Sequence, residues 1–284
     1  MDTTTVRQPA RMLWDDYRRS FQWHATPARG RDCHRLEYPA LEADSFRARL
    51  VVIPPAQAVL EQSQPGDTIY LVAEGELEVT IGQDRFLLKP LDLLAIPAGT
   101  VYSYANVGLA NAVVLGTFAH APQAGTPAGQ VEHMQWEEYR ARFGWTLPLA
   151  EQWGYHRGSG PLIAPPGLRG HTVRMPMAQT TPWHHVPRDL YFMVLQGEIE
   201  FSTGGKTWKL LPRDLLLVPA GTPYQYRNNT LAETVFYSMG GKLPAGKKGV
   251  YFTEDPGWPV RADAPTFRVE LDPYGDARLV ANAA

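Results

Sequence analysis

An internal repeat constrains the fold of this chain more than any other feature. Shifting the 284-residue sequence by 122 positions aligns residues 62–106 with residues 184–228 without a gap, and 19 of the 45 pairs are identical. The identities include Pro65/Pro187, Asp67/Asp189, Gly75/Gly197, Pro90/Pro212, Asp92/Asp214 and Pro97-Ala98-Gly99-Thr100 with Pro219-Ala220-Gly221-Thr222. Such self-similarity predicts two copies of one structural unit.

The same offset extends toward the start of each unit. Four residues in each copy match, namely Trp14, Tyr17, Arg18 and Phe21 with Trp136, Tyr139, Arg140 and Phe143. Their spacing of i, i+3, i+4 and i+7 places them on one face of a helix. We therefore predict a short helix before each barrel, with the aromatic stripe serving packing.

The remainder of each unit has the pattern of short strands. Apolar or alternating runs such as Leu77 to Ile81 are separated by glycine-rich or charged turns, and Gly82-Gln83-Asp84 and Gly204-Gly205-Lys206 are typical of hairpin turns. The sequence predicts an all-β fold of two tandem jelly-roll barrels. The expected domains are residues 1–122 and 123–242, each a helix plus a barrel. A proline-rich, extended tail over 243–284 would lie across a barrel or a partner subunit, which leaves a homodimer open.

Charge and composition narrow the range of partners. The net charge is −2 and the pI is about 6.5, so nucleic acid and membrane surfaces are not expected partners. The polar N-terminus has no signal-peptide core, and no apolar run has membrane-spanning length. The single cysteine, Cys33, excludes an intrachain disulfide and a cysteine-based zinc cluster. We expect a soluble, cytoplasmic protein that binds a small molecule.

Two stretches of the second unit resemble the two motifs of the cupin superfamily. They are Tyr191 to Gly197 and Pro212 to Tyr224, and the first unit repeats them from Ile69 to Gly75 and from Pro90 to Tyr102. The resemblance implies a bicupin, with two cupin barrels in one chain. It says little about the reaction, because cupins include dioxygenases, isomerases, epimerases, lyases, storage proteins and sugar sensors.

The resemblance also implies where a metal would bind. Cupins usually hold a metal through His-x-His, a following Glu and a later His. With the shared proline as anchor, these positions hold Gln62, Gln64, Thr68 and Tyr102 in the first unit and His184, Val186, Leu190 and Tyr224 in the second. Catalytic metal sites need about three protein ligands, so we expect no cofactor. The alternative is a divalent transition metal on His184 with His185 and Asp189.

If the family geometry applies, the interior of the second barrel is an aromatic pocket. We predict His184, Tyr224 and Tyr226 as catalytic residues, because a neutral imidazole accepts a proton and a phenol returns one. Val186, Leu190 and Phe192 would contact the substrate. The alternative interpretation makes His184 a rim residue and the tyrosines barrel filling.

Further candidates lie in the first barrel and before the barrel strands. Gln62, Gln64 and Tyr102 would hydrogen-bond a polar ligand, unless the first barrel is packed and inert. Arg157, from the repeated pairs His34-Arg35 and His156-Arg157, would hold a substrate carboxylate. The alternative is that this pair anchors the helix to the barrel.

The sequence as a whole predicts a small-molecule enzyme without a tightly bound metal. Its second barrel would carry out proton transfer of the isomerase, epimerase, cyclase or lyase type. Two alternatives remain at this point: a non-catalytic small-molecule-binding bicupin, and a metal-dependent, dioxygenase-like cupin with non-standard ligands.

Overall fold

The structure is a computed structural model that describes residues 9–17, 22–28, 31–120, 129–146, 157–247, 249–253, 267–271 and 277–281. Nearly all of its regular structure is β-sheet, in two repeated barrels, which confirms the predicted fold class. Arg18, Phe21 and His156 lie outside the described residues. In the described part of the chain, no helix has the length and apolar character needed to cross a membrane.

Within its described residues, the first unit contains eleven strands and one helical turn, α1 (Trp14–Tyr17). The strands are β1 (Ala10–Met12), β2 (Gln22–Ala28), β3 (Arg31–Glu42), β4 (Phe46–Ile53), β5 (Ala58–Gln62), β6 (Thr68–Glu74), β7 (Leu77–Ile81), β8 (Asp84–Leu88), β9 (Leu93–Ile96), β10 (Tyr102–Ala105) and β11 (Ala112–Ala119).

The second unit repeats this order, beginning with the helical turn α2 (Trp136–Tyr139) and a 3₁₀ turn (Arg140–Arg142). Its strands are β12 (Glu132–Met134), β13 (Gly144–Thr146), β14 (Arg157–Ser159), β15 (Leu168–Met175), β16 (His184–His185), β17 (Leu190–Gln196), β18 (Ile199–Thr203), β19 (Lys206–Leu210), β20 (Leu215–Val218), β21 (Tyr224–Arg227) and β22 (Thr234–Gly241). The tail adds β23 (Tyr251–Phe252), β24 (Phe267–Leu271) and β25 (Ala277–Ala281).

Each barrel consists of a seven-stranded sheet and a smaller sheet. In the first barrel the orders are β12-β9-β6-β11-β4-β3-β2 and β5-β10-β7-β8. In the second they are β1-β20-β17-β22-β15-β14-β13 and β19-β18-β21-β16-β23. The two sets correspond strand for strand, except that β23 from the tail extends only the second barrel.

The predicted hairpin turns are present in both barrels. Ile81 pairs with Asp84 and Thr203 pairs with Lys206, so each loop has two residues. Gly82, Gly204 and Gly205 have φ values of 60°, 58° and 75°. Two-residue hairpin loops favour such positive φ values because they match the twist of the strands.

The two units exchange their N-terminal strands. β1 of the first unit pairs with β20 of the second barrel, and β12 of the second unit pairs with β9 of the first. Asp214 Oδ1 accepts a hydrogen bond from the Trp14 backbone N–H at 2.7 Å, and Asp92 Oδ1 accepts one from Trp136 at 2.6 Å. A carboxylate at a helix N-terminus stabilises the unpaired N–H groups there. Each barrel is thus completed by the other unit, while the predicted domain boundary near residue 122 stays a prediction.

The helix is one turn long where the sequence pattern suggested two. Phe143, at the i+7 position, has an extended backbone with φ −63° and ψ 124°, so the prediction that it continues the helical face is wrong. Its buried ring still lies 5.8 Å from that of Trp136 and 6.1 Å from that of Tyr139. Aromatic packing against the shared core, rather than the helical repeat, accounts for this spacing.

Three clusters of buried apolar side chains stabilise the fold. One fills each barrel, and the largest combines residues of both units, including Phe46 and Tyr191, whose rings lie 5.6 Å apart. The Thr117 and Tyr191 hydroxyl groups form a hydrogen bond within this shared cluster. The barrels therefore pack on each other through a common core.

Two more of the repeated aspartates connect the units. Asp67 accepts hydrogen bonds from the backbone N–H groups of Ala98 at 3.0 Å and Gly167 at 2.7 Å. Asp189 accepts them from Ala220 at 2.8 Å and Asp44 at 3.0 Å. Each aspartate thus joins a loop of its own barrel to a loop of the other unit. This contact gives a structural reason for the aspartate in both copies.

Candidate active site

The second barrel encloses a cavity of about 60 Å³. All three predicted catalytic residues, His184, Tyr224 and Tyr226, line it. So do the predicted substrate-binding residues of this barrel, which are Arg157, Val186, Leu190 and Phe192. The structure therefore brings the second-barrel candidates together around one enclosed space.

Strand alternation directs these side chains inward. Tyr224 and Tyr226 are two residues apart on β21 and face the same side, as do Leu190 and Phe192 on β17. His184 on β16 is paired directly with Tyr224. Its ring centroid lies 4.3 Å from that of Tyr224 and 5.8 Å from that of Tyr226.

His184 is buried as a neutral imidazole. Its side chain belongs to a residue only 3% exposed, and Nδ1 lies 2.8 Å from the Pro182 carbonyl oxygen. A carbonyl oxygen only accepts, so Nδ1 carries the proton and Nε2 carries the lone pair. Burial is the main cause that lowers the pKa of His184 to about 3; the hydrogen bond to Pro182 opposes this shift, and the positive charge of Arg157 adds to it.

Arg157 and Tyr226 form a second polar contact in the cavity. Arg157 Nη1 donates a hydrogen bond to the Tyr226 phenolic oxygen. The hydroxyl hydrogen of Tyr226 is therefore directed toward another acceptor. A guanidinium in this position also stabilises negative charge that develops on the phenolic oxygen when the proton leaves.

The sequence analysis missed three polar residues of the cavity, namely His171, Arg188 and Ser238. His171 on β15 is paired with Ser238 on β22. Burial, followed by the charges of Arg157, Arg188 and Arg169, lowers the pKa of His171 to about 3. At the repeat offset, Arg188 corresponds to Gly66. Differences between the two copies, rather than identities, would have indicated these positions.

The tail contributes to the wall of the cavity. Phe252 and Tyr251 of β23 pair with His184 and His185 of β16. The Thr253 backbone N–H donates to the Trp183 carbonyl oxygen at 2.9 Å. Gly249 and Val250, which precede β23, line the cavity itself. The tail segment around β23 therefore lies across the second barrel.

The first-barrel candidates lie apart from this cavity and bond to their own neighbours. Tyr102 and Tyr70 share a hydroxyl–hydroxyl hydrogen bond of 2.8 Å, and Arg47 Nη2 donates to Gln64 Oε1 at 3.2 Å. Gln62 is paired with Tyr102 across β5 and β10. The Tyr70 ring lies 6.1 Å from that of Phe118 inside the barrel. The first-barrel candidates thus contact residues of their own barrel rather than the second-barrel cavity.

Comparison with known proteins identifies the family. The family described as Cupin domain matches residues 49–118 and again residues 171–240, at the same offset as the repeat. The chain is a tandem member of the cupin superfamily. A search of curated proteins gives no match.

Solved structures share the architecture of this tandem cupin. A putative glyoxylate induced protein from Pseudomonas aeruginosa matches with a TM-score of 0.68 at 13% identity, over 86% of this chain and 92% of that one. A salicylate 1,2-dioxygenase from Pseudaminobacter salicylatoxidans gives 0.64 at 14%, over 84% and 87%. AerE from Microcystis aeruginosa gives 0.58 at 14%, over 78% and 98%. At these identities the likeness concerns the fold alone.

The cupin metal positions of this chain do not suit a metal ion. In the second barrel they offer one imidazole, whose Nδ1–H is donated to Pro182, beside two aliphatic side chains and a phenol. Both carboxylate oxygens of Asp189 bind backbone N–H groups, and the His185 ring stacks on Tyr251 at 5.1 Å. His185 and Asp189 do not line the cavity. Among the described residues, no group of three or more His, Cys, Asp or Glu is arranged to hold a metal.

Proposed function

We propose that this tandem cupin is a small-molecule enzyme that transfers a proton next to a carbonyl group, and that the second barrel is the reaction site. The observation that carries the proposal is the neutral His184 facing Tyr224 and the Arg157–Tyr226 pair across one cavity. This arrangement offers a base and an acid on either side of a small substrate. The reaction class is that of isomerases, epimerases, cyclases and lyases.

The chemistry would proceed by one proton removal and one proton return. His184 Nε2 takes a proton from the carbon next to the carbonyl, and the C–H electron pair moves to give an enolate. The Tyr226 hydroxyl donates to the enolate oxygen, while Arg157 stabilises the charge left on the phenolic oxygen. Return of the proton to a different atom, or to the opposite face, completes an isomerisation or an epimerisation.

The charge of the substrate would change the pKa of His184. Burial and Arg157 hold this pKa at about 3, which makes the imidazole a weak base. A negative charge beside Arg157 offsets the contribution of that guanidinium, so the pKa rises when an anion or an enolate is present. His184 would thus become more basic when the substrate is bound.

The first barrel has two tyrosines and Arg35 at the matching positions but lacks the histidine. Gln62 occupies the position of His184, and an amide neither gives nor takes a proton near neutral pH. Burial raises the pKa of Tyr70 and Tyr102 above the usual range, so both phenols hold their protons. This contrast supports a single working barrel.

Hydrogen–deuterium exchange tests the proposal without knowledge of the full reaction. The protein in D2O is mixed with small carbonyl compounds such as pyruvate, and exchange at the carbon next to the carbonyl is followed by NMR. His184→Ala and Tyr226→Phe should each reduce the exchange rate by about 10²–10⁴-fold. Tyr224→Phe should also reduce it. The matched first-barrel variants Gln62→Ala and Tyr104→Phe should leave it nearly unchanged.

The outcomes separate the alternatives. Equal losses from the variants of both barrels would exclude a single active barrel. Wild-type exchange in His184→Ala would exclude the proposed base. Binding of these compounds without any catalysed exchange would make the protein a non-catalytic binding protein.

A further inference from the structure

We infer that the second barrel binds a small carboxylate whose anionic group lies on the Arg188 guanidinium. This inference rests on the proposed function, because it names the substrate class of the same site. It follows from the charge of the cavity wall, from the surroundings of Arg188 and from a comparison with the first barrel.

The cavity wall is cationic. It contains Arg157 and Arg188, and its described residues include neither Asp nor Glu. Burial and the charge of Arg169 lower the pKa of Arg188 to about 10, so it remains charged at neutral pH. The two cavity histidines stay neutral because the pKa of each is about 3. Buried positive charge without an acid in the wall favours an anionic ligand.

Arg188 has hydrogen-bonding capacity left for that ligand. Its Nη1 donates to the Gly241 carbonyl oxygen at 3.2 Å. Its Nε is buried and has no hydrogen-bond partner among the described residues. In the same part of the chain, Arg188 forms no ion pair within 4.0 Å. A guanidinium edge binds a carboxylate through two parallel N–H groups, so an anion here would satisfy the buried Nε–H.

The first barrel shows what has changed to create this site. Arg188 stands where the first unit has Gly66, and Gly240 stands where it has Phe118. A Cβ atom at Gly240 would lie 2.6 Å from Leu190 Cδ2 and 3.4 Å from Arg188 Nε. Glycine at this position therefore leaves the space that the guanidinium and its ligand need.

A charge difference accompanies the difference in space. In the first unit Arg35 forms an ion pair with Glu37, and Arg49 lies 3.6 Å from the same carboxylate. The second unit has Ser159 in place of Glu37. The second unit therefore has a hydroxyl group at the position of the acid that pairs with Arg35.

The cavity limits the size of the ligand. A cavity needs roughly 10–15 Å³ to hold one water. The cavity of about 60 Å³ therefore holds a handful of waters, or a ligand with a similar number of heavy atoms. Val186, Leu190 and Phe192 provide an apolar wall for a short carbon chain. A short 2-oxo or 3-oxo acid matches both the size and the charge.

Calorimetric titration with pyruvate and with pyruvamide tests the inference, since the two differ in charge but hardly in shape. Wild-type protein at pH 7 should bind pyruvate at least about tenfold more tightly than pyruvamide. Arg188→Gln should weaken pyruvate binding by about 10- to 100-fold and leave pyruvamide binding nearly unchanged. Arg85→Gln removes an exposed charge from the first barrel, so it should alter neither affinity.

Three results would overturn the inference. They are equal binding of pyruvate and pyruvamide, equal weakening of both ligands by Arg188→Gln, and inorganic phosphate binding more tightly than pyruvate. Thermal unfolding shows whether Arg188→Gln is folded. If Arg188→Gln does not fold, Arg188→Lys serves instead. It keeps the charge but loses the two parallel N–H donors, so it should retain only part of the preference for pyruvate over pyruvamide.

Failure of this inference differs from failure of the proposed function. Calorimetry records binding whether or not a reaction occurs. Pyruvate bound through Arg188 without deuterium exchange would contradict proton transfer and leave the anion site standing. Equal exchange rates on pyruvate and pyruvamide would contradict the anion site and leave proton transfer standing.

Discussion

In the first barrel the Phe118 ring lies 6.1 Å from that of Tyr70, and the Arg47 guanidinium carbon is 5.6 Å from its centroid. In the second barrel the matching residue is Gly240, and a cavity is present. The strands, turns and sheet orders of the two barrels are otherwise the same. The two barrels therefore differ in a few interior side chains rather than in their backbone.

Both the residues that repeat and those that differ contribute to the second barrel. The repeated aspartates Asp67, Asp92, Asp189 and Asp214 bind backbone N–H groups and join the two units. The candidate site depends on His184 and Arg188, which replace Gln62 and Gly66. The repeated residues thus include the scaffold aspartates as well as Tyr224 and Tyr226 of the candidate site, and His184 and Arg188 are where that site differs from the first barrel.

The largest expected effect tests whether the Phe118 side chain packs tightly inside the first barrel. Phe118→Ala should lower the free energy of unfolding by about 3–5 kcal/mol, because it removes a buried ring and leaves a cavity. Urea unfolding measures the change. A cost below about 1 kcal/mol for Phe118→Ala would contradict a packed first barrel.

In the opposite direction, Gly240→Ala should abolish pyruvate binding by the second barrel, since its Cβ would lie 2.4 Å from the Asp189 carbonyl oxygen.

Acid should affect the second barrel more than the first. The pKa values of His171 and His184 fall from 6.5 to about 3 on folding, so protonation favours the unfolded state. Their contribution is fully present above pH 6.5 and is lost as the pH falls toward 3. The loss should approach about 1.4 kcal/mol per pH unit for each histidine. Urea unfolding between pH 7 and 4 measures it, and His184→Gln should flatten the dependence.

A similar acid dependence in the wild type and in His184→Gln would show that His184 is not held neutral. Gln62→His provides the reverse control, because it places an imidazole at the matching position of the first barrel. If that barrel buries it similarly, the acid dependence should become steeper.

The smallest effect concerns the scaffold, in which the two barrels should behave alike. Asp67→Asn and Asp189→Asn should each cost about 1–3 kcal/mol, because each replaces a carboxylate that accepts two backbone N–H groups. Thermal or urea unfolding compares them. Loss of pyruvate binding in Asp189→Asn alone, with unchanged stability, would assign Asp189 to the site instead.

Much of the fold could be predicted because its signals are local. The hairpin at Gly82 and the alternation of Tyr224 and Tyr226 depend on a few neighbouring residues, as does the inward direction of Leu190 and Phe192. The exchange of β1 and β12 could not be predicted. Both barrels offer nearly the same edge, β9 or β20, so the sequence does not distinguish the two pairings.

The site was predictable only where family positions fall on regular strands. His184, Tyr224 and Tyr226 follow from the motifs and from strand alternation. Arg188 lies in the turn before β17, and its direction depends on Gly240, more than 50 residues later. No local pattern links two such positions, so an interior cation in a loop requires the structure.

The exchange of N-terminal strands has a consequence for the order of events during synthesis. Ala10 pairs with Leu217, so the beginning of the chain finds its place only after the second barrel's β20 has left the ribosome. The first barrel likewise waits for β12 from the second unit. Contacts this distant in sequence close slowly. Until they form, β9 and β20 each present an unpaired strand edge. Neither half of the sequence alone contains all the strands of its barrel's large sheet.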